Sequence, residues 1–216
     1  MKFNQYTWNL YKQTTIGKEM IQFFSDAKGY ILFSRYCPHA YFISEDLYND
    51  WLENIYCYGV SDYDQPTSLD EAKDLYISLA TLGIRLEEKQ WLPANDFKNI
   101  LGIIQPISYV LSRFASEYFF PYLFLCRIFE LNKIADYFNI DLPNIPNRIN
   151  YKGRYIYYWE LCEVFYEFRK ENGLSPEELW AFLYDFAPHN IQNEKTDIPK
   201  PSQAWFIGGR LYPEDK

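Results

Sequence analysis

The stretch YKGRYIYYWELCEVFYEFRKENGLSPEELWAFLYDFAP, from Tyr151 to Pro188, carries the clearest signals of secondary structure in the chain. From about Arg154 to Glu171, apolar residues recur at helical spacing in two neighbouring stripes, and glutamates occupy the opposite side. The pattern predicts an α-helix with a wide apolar face. Such a helix is expected to pack against more than one neighbour.

The residues that follow this helix predict a tight turn and a second helix. Gly173 favours the end of the first helix, because glycine adopts the left-handed cap conformation at no steric cost. Ser175 is typical of a helix cap, Pro176 fits the first helical position, and Glu178 completes a capping box. Pro188 predicts that the second helix stops soon afterwards.

The segment FRKENGLSPEELWAFL, residues 168–183, resembles the first two helices of phage-repressor-type helix-turn-helix domains. That family requires a third, recognition helix with polar side chains for base edges. Residues 185–191, DFAPHNI, instead predict a stop. An ordinary helical hairpin uses the same caps for the same physical reasons, so we interpret the likeness as fortuitous.

Two serines upstream predict further helices by the same capping logic. Ser44 is followed by acidic residues and begins a helix that is expected to run to about Tyr58. Ser68 begins another as part of a capping box. This second helix is expected to run to about Leu82 and to end at Gly83.

Other helices are predicted from apolar periodicity. Residues 1–29 are expected to be partly helical, and Asn95 is expected to cap a helix that Pro106 kinks or splits. The run YLFLCRIFELNKIADYFNI after Pro121 is apolar almost all round at first and then amphipathic, which predicts the central core helix. Arg127 begins a set of charged residues on its outer edge that are spaced for i,i+3 ion pairs.

Two regions favour minor β structure. The runs Tyr30–Phe33 and Ala40–Ile43 predict a small hairpin, and QAWFIGG, which begins at Gln203, predicts a short strand. With these included, the expected fold is mostly α, a bundle of about seven helices with at most a minor β hairpin or C-terminal strand. The expected domains are a helical domain at 1–190, a linker at 191–202, and a C-terminal strand and tail at 203–216 that is a candidate for the start of a further domain.

The residues QAWFIGG after PKPS are similar to the opening strand of EVE/PUA-like domains. In some bacterial proteins that family reads modified bases and accompanies restriction or defence modules. The likeness implies that residues 1–190 resemble the helical N-terminal region of such a protein. It carries no binding residue over to this chain.

Composition limits the classes of partner. The chain has 216 residues, a net charge of −8 and 20% aromatic residues. The acidic charge disfavours attraction of the whole surface to nucleic acid, whereas many rings favour an aromatic core and a protein interface. No apolar run reaches a membrane span, no signal peptide is evident and the four cysteines form no CxxC pair, so we expect no membrane association and a reduced, cytoplasmic setting.

One local cluster combines positive charge with rings. Arg148, Lys152 and Arg154 lie close in sequence to Tyr151 and Tyr155. Functionally, such a cluster could bind phosphate or stack a nucleic-acid base. The alternative is a set of solvated charges at the start of a helix.

Two further patterns have structural explanations. Glu160, Glu163, Glu167 and Glu171 form an acidic ridge that is interpreted as a solvated helix face, because no histidine accompanies it. Cys37-Pro38-His39 is interpreted as a turn. No nucleotide-binding, hydrolase or metal motif is found, and no cofactor is expected.

Three hypotheses follow for the function. The first is a non-enzymatic interaction domain that binds a protein partner or a second copy of itself through its aromatic surface. The second is a nucleic-acid-associated module of a bacterial restriction or defence protein. The third is an enzyme whose site is not recognisable from one sequence.

Overall fold

The computed structural model describes residues 3–37, 43–88, 104–124, 127–147 and 150–195. These residues form a mostly α structure and contain no strand, which confirms the predicted fold class. The α-helices are α1 (Gln5–Gln13), α2 (Thr15–Asp26), α3 (Gly29–Tyr36), α4 (Glu45–Gly59), α5 (Leu69–Glu88), α6 (Ile104–Phe114), α7 (Ile128–Phe138), α8 (Tyr151–Asn172), α9 (Pro176–Ala181) and α10 (Ala187–Lys195).

A π-helical turn, Phe182–Phe186, joins α9 to α10 without a break. Counted as one rod, these three segments bring the described part of the chain to nine helices, slightly more than the seven or so expected. Helix α8 lies between α5, α6 and α9, and α9 packs on α2. The wide apolar face of α8 therefore serves several neighbours, as its sequence predicts.

The predicted helix caps at Ser44, Ser175 and Gly173 are confirmed. The Ser44 hydroxyl accepts a hydrogen bond from the backbone N–H of Leu47 at 3.2 Å. Ser175 and Glu178 form the reciprocal capping box at the start of α9. Gly173 ends α8 with a φ of 62°, in the left-handed region that glycine occupies readily.

Aromatic rings fill the core. Phe182, which is fully buried, has ring neighbours on α7 and α8 as well as near the N-terminus, including Phe138 at 4.9 Å and Phe168 at 5.1 Å. Ring pairs of this kind contribute about 0.5–1.5 kcal/mol beyond the area that they bury. The largest side chains with essentially no exposure are Trp8, Trp180, Tyr48, Tyr158, Phe24, Phe33, Phe119, Phe120, Phe124, Phe165 and Phe182.

The prediction of one central helix from Pro121 onward is wrong for its first part. Helix α7 begins only at Ile128, and residues 119–124 form a buried segment without regular secondary structure, here called the strap. A run that is apolar all round suits either a buried helix or a buried extended chain. The i,i+3 ion pair at the start of α7 is present, with Arg127 Nη1 3.3 Å from Glu130 Oε2.

Tyrosine hydroxyls satisfy the backbone of the strap. The Tyr158 hydroxyl donates to the carbonyl of Phe120 at 2.8 Å. The Tyr184 hydroxyl donates to the carbonyl of Pro121 and accepts from the N–H of Leu123 at 3.1 Å. Buried backbone groups without partners cost free energy, so these phenols permit a non-helical segment inside a helical protein.

The predicted hairpin is wrong where it can be compared with the structure. Residues Tyr30–Phe33 belong to helix α3, and residues 38–42 lie outside the described residues. The buried positions Gly29, Leu32, Phe33 and Tyr36 have helical spacing. The Phe33 ring stacks on Tyr48 of α4 at 4.7 Å, and this tertiary contact outweighs the β propensity of the short run.

One predicted helix end also differs from the structure. Gly83 does not end α5, which continues to Glu88, because a single glycine inside a helix costs only about 1 kcal/mol. Pro106 is the third residue of α6, and the kink or split predicted there stays a prediction because residues 89–103 lie outside the described residues. The predicted cap at Asn95 and the predicted strand from Gln203 lie outside the described residues.

Pro188 does not stop the last helix. It is the second residue of α10, and the preceding π turn shifts the hydrogen bonding so that the N–H of Ala187 donates to the carbonyl of Phe182. A proline in the first turn after such a shift does not have to supply an α-helical N–H. Helix α10 continues to Lys195, so its last five residues, 191–195, overlap the segment predicted as a linker.

Candidate functional site

A groove of about 420 Å³ lies between α5 and α8. The two helices run antiparallel. Lys73 Nζ lies 3.6 Å from Glu163 Oε1 at one end, and the Tyr76 hydroxyl donates to the carbonyl of Tyr155 at 2.8 Å further along. These two contacts define how the helices are aligned, and the groove lies between the helices.

The floor of the groove is aromatic and buried. The rings of Tyr76 and Trp159 stack with their centroids 5.9 Å apart and an angle of 23° between planes. Lys73 Nζ lies 5.9 Å from the centroid of Trp159, within the range of a cation–π contact. Burial raises the pKa of Tyr76 well above its ordinary value, so this phenol stays neutral at physiological pH.

The walls of the groove expose apolar side chains. Ile77 on α5 is 52% exposed and Ile156 on α8 is 59% exposed. Each isoleucine lies on a helix face whose neighbouring residues are polar. Ile77 follows Lys73 by four residues on α5, and Ile156 follows Lys152 by four on α8. The charged rim consists of Lys73, Lys152, Glu160 and Glu163.

The predicted basic–aromatic cluster is only partly brought together in the described residues. Lys152 and Tyr155 both line the groove, whereas Arg154 is half-buried and is not among its lining residues. Arg148 lies outside the described residues. Tyr151 begins α8, but its side chain also lies outside the described part.

Tyr155 does not offer an open ring. Its side chain is 2% exposed and forms part of the core behind the groove. A ring that stacks a nucleic-acid base has to present one of its faces to solvent. The exposed lysine and the buried ring therefore favour a groove with an apolar floor over a base-stacking surface, and a phosphate-binding role of the cluster stays a prediction.

The acidic ridge of α8 contributes to the rim of this groove through Glu160 and Glu163. Glu163 already pairs with Lys73, as described above. Among the residues that the structure describes, no three His, Cys, Asp or Glu side chains are grouped so that they could hold a metal ion. A solvated and ion-paired face remains the interpretation of the ridge.

A second polar cluster, which sequence reasoning missed, lies at the π turn. The Tyr11 hydroxyl donates to Asp185 Oδ2 at 2.7 Å, and Asp185 is buried. His189, one turn later, lies with Nδ1 2.8 Å from the carbonyl oxygen of Asp185 and 3.4 Å from its Oδ1. Tyr11 and Asp185 are 174 positions apart in the chain, and no pattern in the sequence predicts their contact.

The geometry of this π-turn cluster indicates a structural role, in which a hydrogen bond links two distant segments of the chain. Burial, together with the neighbouring carboxylate of Asp185, raises the pKa of Tyr11 far above its ordinary value. Burial raises the pKa of Tyr36 to about 12. Both phenols are therefore neutral near pH 7, and the hydrogen bond from Tyr11 to Asp185 joins α1 to the π turn.

The groove carried a faint signal in the sequence. An isoleucine in the middle of a polar stripe, as in Lys152, Ile156 and Glu160, exposes an apolar side chain where solvation favours a polar one. The signal becomes specific only when a second such stripe, around Ile77, lies beside it in space. That neighbour relation is a tertiary property of α5 and α8.

Comparison of the chain with family models, with curated proteins and with solved structures finds no match in any of the three. The likeness of the residues after Gln203 to EVE/PUA-like domains lies outside the described residues and stays a prediction. Of the helices in the described ranges, none has the length and apolar character that crossing a membrane requires.

Proposed function

We propose that this protein is a non-enzymatic interaction module that binds a protein segment in the α5–α8 groove. One observation carries the proposal. Ile77 and Ile156 expose more than half of their surface above a buried aromatic floor of Tyr76 and Trp159. Exposed apolar surface with a charged rim is typical of sites that bind protein.

The groove suits a helical or extended segment. Helix-in-groove recognition places apolar anchors at helical spacing into a trough between two helices. Here the rim supplies charges of both signs from Lys73, Lys152, Glu160 and Glu163, which can orient a bound segment. The proposal includes a reducing, cytoplasmic setting, which the unbridged thiols of Cys57 and Cys162 support.

The test is selection from a displayed library of random peptides, with the purified protein as bait. Selected peptides are then measured against the variant Ile77→Glu with Ile156→Glu. We expect binding to weaken at least about tenfold, because losing an apolar anchor at an interface costs about 1–2 kcal/mol. The matched control is Ile16→Glu, since Ile16 is 62% exposed on α2 and away from the groove.

Two results would count against this function. One is a selection that enriches no peptide above background. The other is a set of peptides that bind the groove variant as well as they bind the wild type.

The nucleic-acid alternative is tested separately. It predicts a salt-sensitive gel shift that is lost in the variant Arg148→Ala with Arg154→Ala. The net charge of −8 and the buried ring of Tyr155 both weigh against it. Absence of any shift at low salt would end this alternative.

A further inference from the structure

We propose that the segment bound in the α5–α8 groove belongs to a second copy of this chain. The two copies dock about a two-fold axis that passes beside Ile156, with their α8 helices antiparallel. This inference rests on the proposed function, because it names the partner of the same groove. It is carried by the order of charges along α8.

Lys152, Ile156 and Glu160 are spaced by four residues and form one stripe on α8. All three line the groove. The stripe is therefore positive at one end, apolar at its centre and negative at the other end. The central isoleucine is 59% exposed and lies equally far from both charges in sequence.

The helical rise places the two charged residues at equal distances from Ile156 along the helix axis. At about 1.5 Å per residue, Lys152 lies about 6 Å from Ile156 along the axis and Glu160 lies about 6 Å from it in the opposite direction. Antiparallel docking with Ile156 on Ile156 brings Lys152 of each copy to the height of Glu160 of the other. The interface then contains two identical Lys–Glu pairs on either side of an apolar centre.

A parallel arrangement of the two stripes is electrostatically unfavourable. Parallel docking would put Lys152 on Lys152 and Glu160 on Glu160, and like charges at this distance repel. A self-complementary surface is what a two-fold interface requires, since both copies present the same patch.

The charge of the rim agrees with this partner. Lys73, Lys152, Glu160 and Glu163 sum to zero, whereas the whole chain carries −8. A neutral rim removes local repulsion at the one place where two acidic copies would meet. A strongly basic or strongly acidic partner would find no net charge here to complement.

We expect the dimer to be weak. Two helices from each copy form a contact smaller than the roughly 1,600 Å² of a standard interface, so association is expected in the micromolar range. Sedimentation velocity of the full chain, at loadings from about 5 to about 500 µM, covers this range. The wild type is expected to sediment increasingly as a dimer across the series.

Charge reversal tests the geometry. Lys152→Glu gives a copy with two carboxylates on the stripe, and Glu160→Lys gives a copy with two ammonium groups. Each variant alone is expected to lose at least about tenfold in dimer affinity, because both symmetric pairs become repulsive. An equimolar mixture of the two variants is expected to associate again, because every cross-pair between the copies is then Lys on Glu.

Two checks keep the result interpretable. The single chain with both Lys152→Glu and Glu160→Lys is expected to dimerise like the wild type, since its pairs are only exchanged. Far-UV circular dichroism is expected to be unchanged in every variant, because Lys152 is exposed and Glu160 lies at the rim.

The inference is overturned if the wild type stays monomeric over the whole series, or if the mixture associates no better than either variant alone. A monomeric protein that still binds library peptides through Ile77 and Ile156 would overturn the self-association and leave the proposed function standing. If the protein neither self-associates nor binds library peptides, the groove is not a binding site.

Discussion

The strap at residues 119–124 and the α5–α8 groove are both rich in large apolar and aromatic side chains. The strap is enclosed by the core, whereas the groove exposes apolar side chains to solvent. In the strap, rings such as Phe120 are enclosed, and the phenols of Tyr158 and Tyr184 donate to backbone carbonyls. In the groove, the ring of Trp159 forms a floor, and Ile156 stands open above it. The first arrangement stabilises the fold, and the second leaves apolar surface for a partner.

Tyrosine hydroxyls bond the backbone in both regions. Behind the strap, Tyr158 and Tyr184 replace water as the partners of backbone groups, which allows non-helical backbone inside a helical bundle. Beneath the groove, the buried hydroxyl of Tyr76 donates to the carbonyl of Tyr155 in the same way. The two regions therefore differ in what they leave exposed, which in the groove is Ile77 and Ile156.

The largest expected effect is a loss of stability at alkaline pH, where the tyrosines that bond the strap ionise. Burial raises the pKa of Tyr158 and Tyr184 well above the ordinary value, and that of Tyr36 to about 12. A raised folded-state pKa means that the stabilisation is complete below about pH 10 and is lost as pH rises through the folded pKa. Urea titrations from pH 8 to pH 12 are expected to show stability falling steeply above about pH 10, ending in unfolding.

The control for this prediction is Tyr184→Phe, which cannot ionise. Its stability is expected to fall less between pH 10 and pH 12 than that of the wild type. Equal slopes for the two proteins would mean that Tyr184 does not carry the effect.

Truncating a ring of the strap is the next largest perturbation. Phe120 is almost fully buried, and its ring lies 5.2 Å from that of Phe165. Phe120→Ala is expected to cost about 3–5 kcal/mol of unfolding free energy, because it removes buried area and leaves a cavity. Urea denaturation measures it, and the matched change in the groove, Ile156→Ala, is expected to cost less than about 0.5 kcal/mol.

Removing one hydroxyl from the strap has a smaller effect. Tyr184→Phe keeps the ring and deletes the oxygen that contacts Pro121 and Leu123. We expect a loss of about 1–3 kcal/mol, because two buried backbone groups lose their partner. Tyr58→Phe, at a residue that is 80% exposed, is expected to change nothing measurable, and equal losses at both positions would contradict the role of the strap.

The smallest expected effect on stability comes from the groove. Ile156→Glu is expected to change the unfolding free energy by no more than about 0.5 kcal/mol, because the side chain is already exposed. The same change is expected to reduce self-association at least about tenfold, which sedimentation velocity measures. A large loss of stability together with unchanged association would contradict the assignment of Ile156 to binding and not to the fold.

Local chemistry made much of this fold predictable. The caps at Ser44 and Ser175 and the left-handed glycine at Gly173 depend on residues within one turn, and all three lie as expected. Signals of this range survive in a sequence because their physical cause is local.

Tertiary contacts explain the features that sequence reasoning missed. The strap can be non-helical because Tyr158, Tyr184 and Ser108, which lie elsewhere in the sequence, supply hydrogen bonds to its backbone. Helix α3 is helical because Phe33 packs on Tyr48, although its residues favour strands. Pro188 stays within a helix because a π turn precedes it.

The candidate site was predictable only in part. Lys152 and Tyr155 were singled out for phosphate or nucleic acid, and they do line one groove. The burial of Tyr155 and the neighbourhood of Ile77 depend on how α5 packs against α8. A function that depends on such a shared surface is not encoded in any one segment.

Disulfide formation at the two-fold axis tests the central claim most directly. With helix axes about 8–10 Å apart and Cα atoms about 2.3 Å from each axis, the two Cα atoms of residue 156 would lie about 3.5–5.5 Å apart, close enough for a bond between cysteines. Ile156→Cys, in a Cys57→Ser background because Cys57 is exposed, is compared under mild oxidation with Ile16→Cys, whose parent residue is similarly exposed.

We predict that Ile156→Cys forms a covalent dimer, with the 156–156 linkage identified by peptide mass spectrometry, and that Ile16→Cys stays largely monomeric. Equal cross-linking at both positions, or none at residue 156, would contradict the proposed two-fold groove.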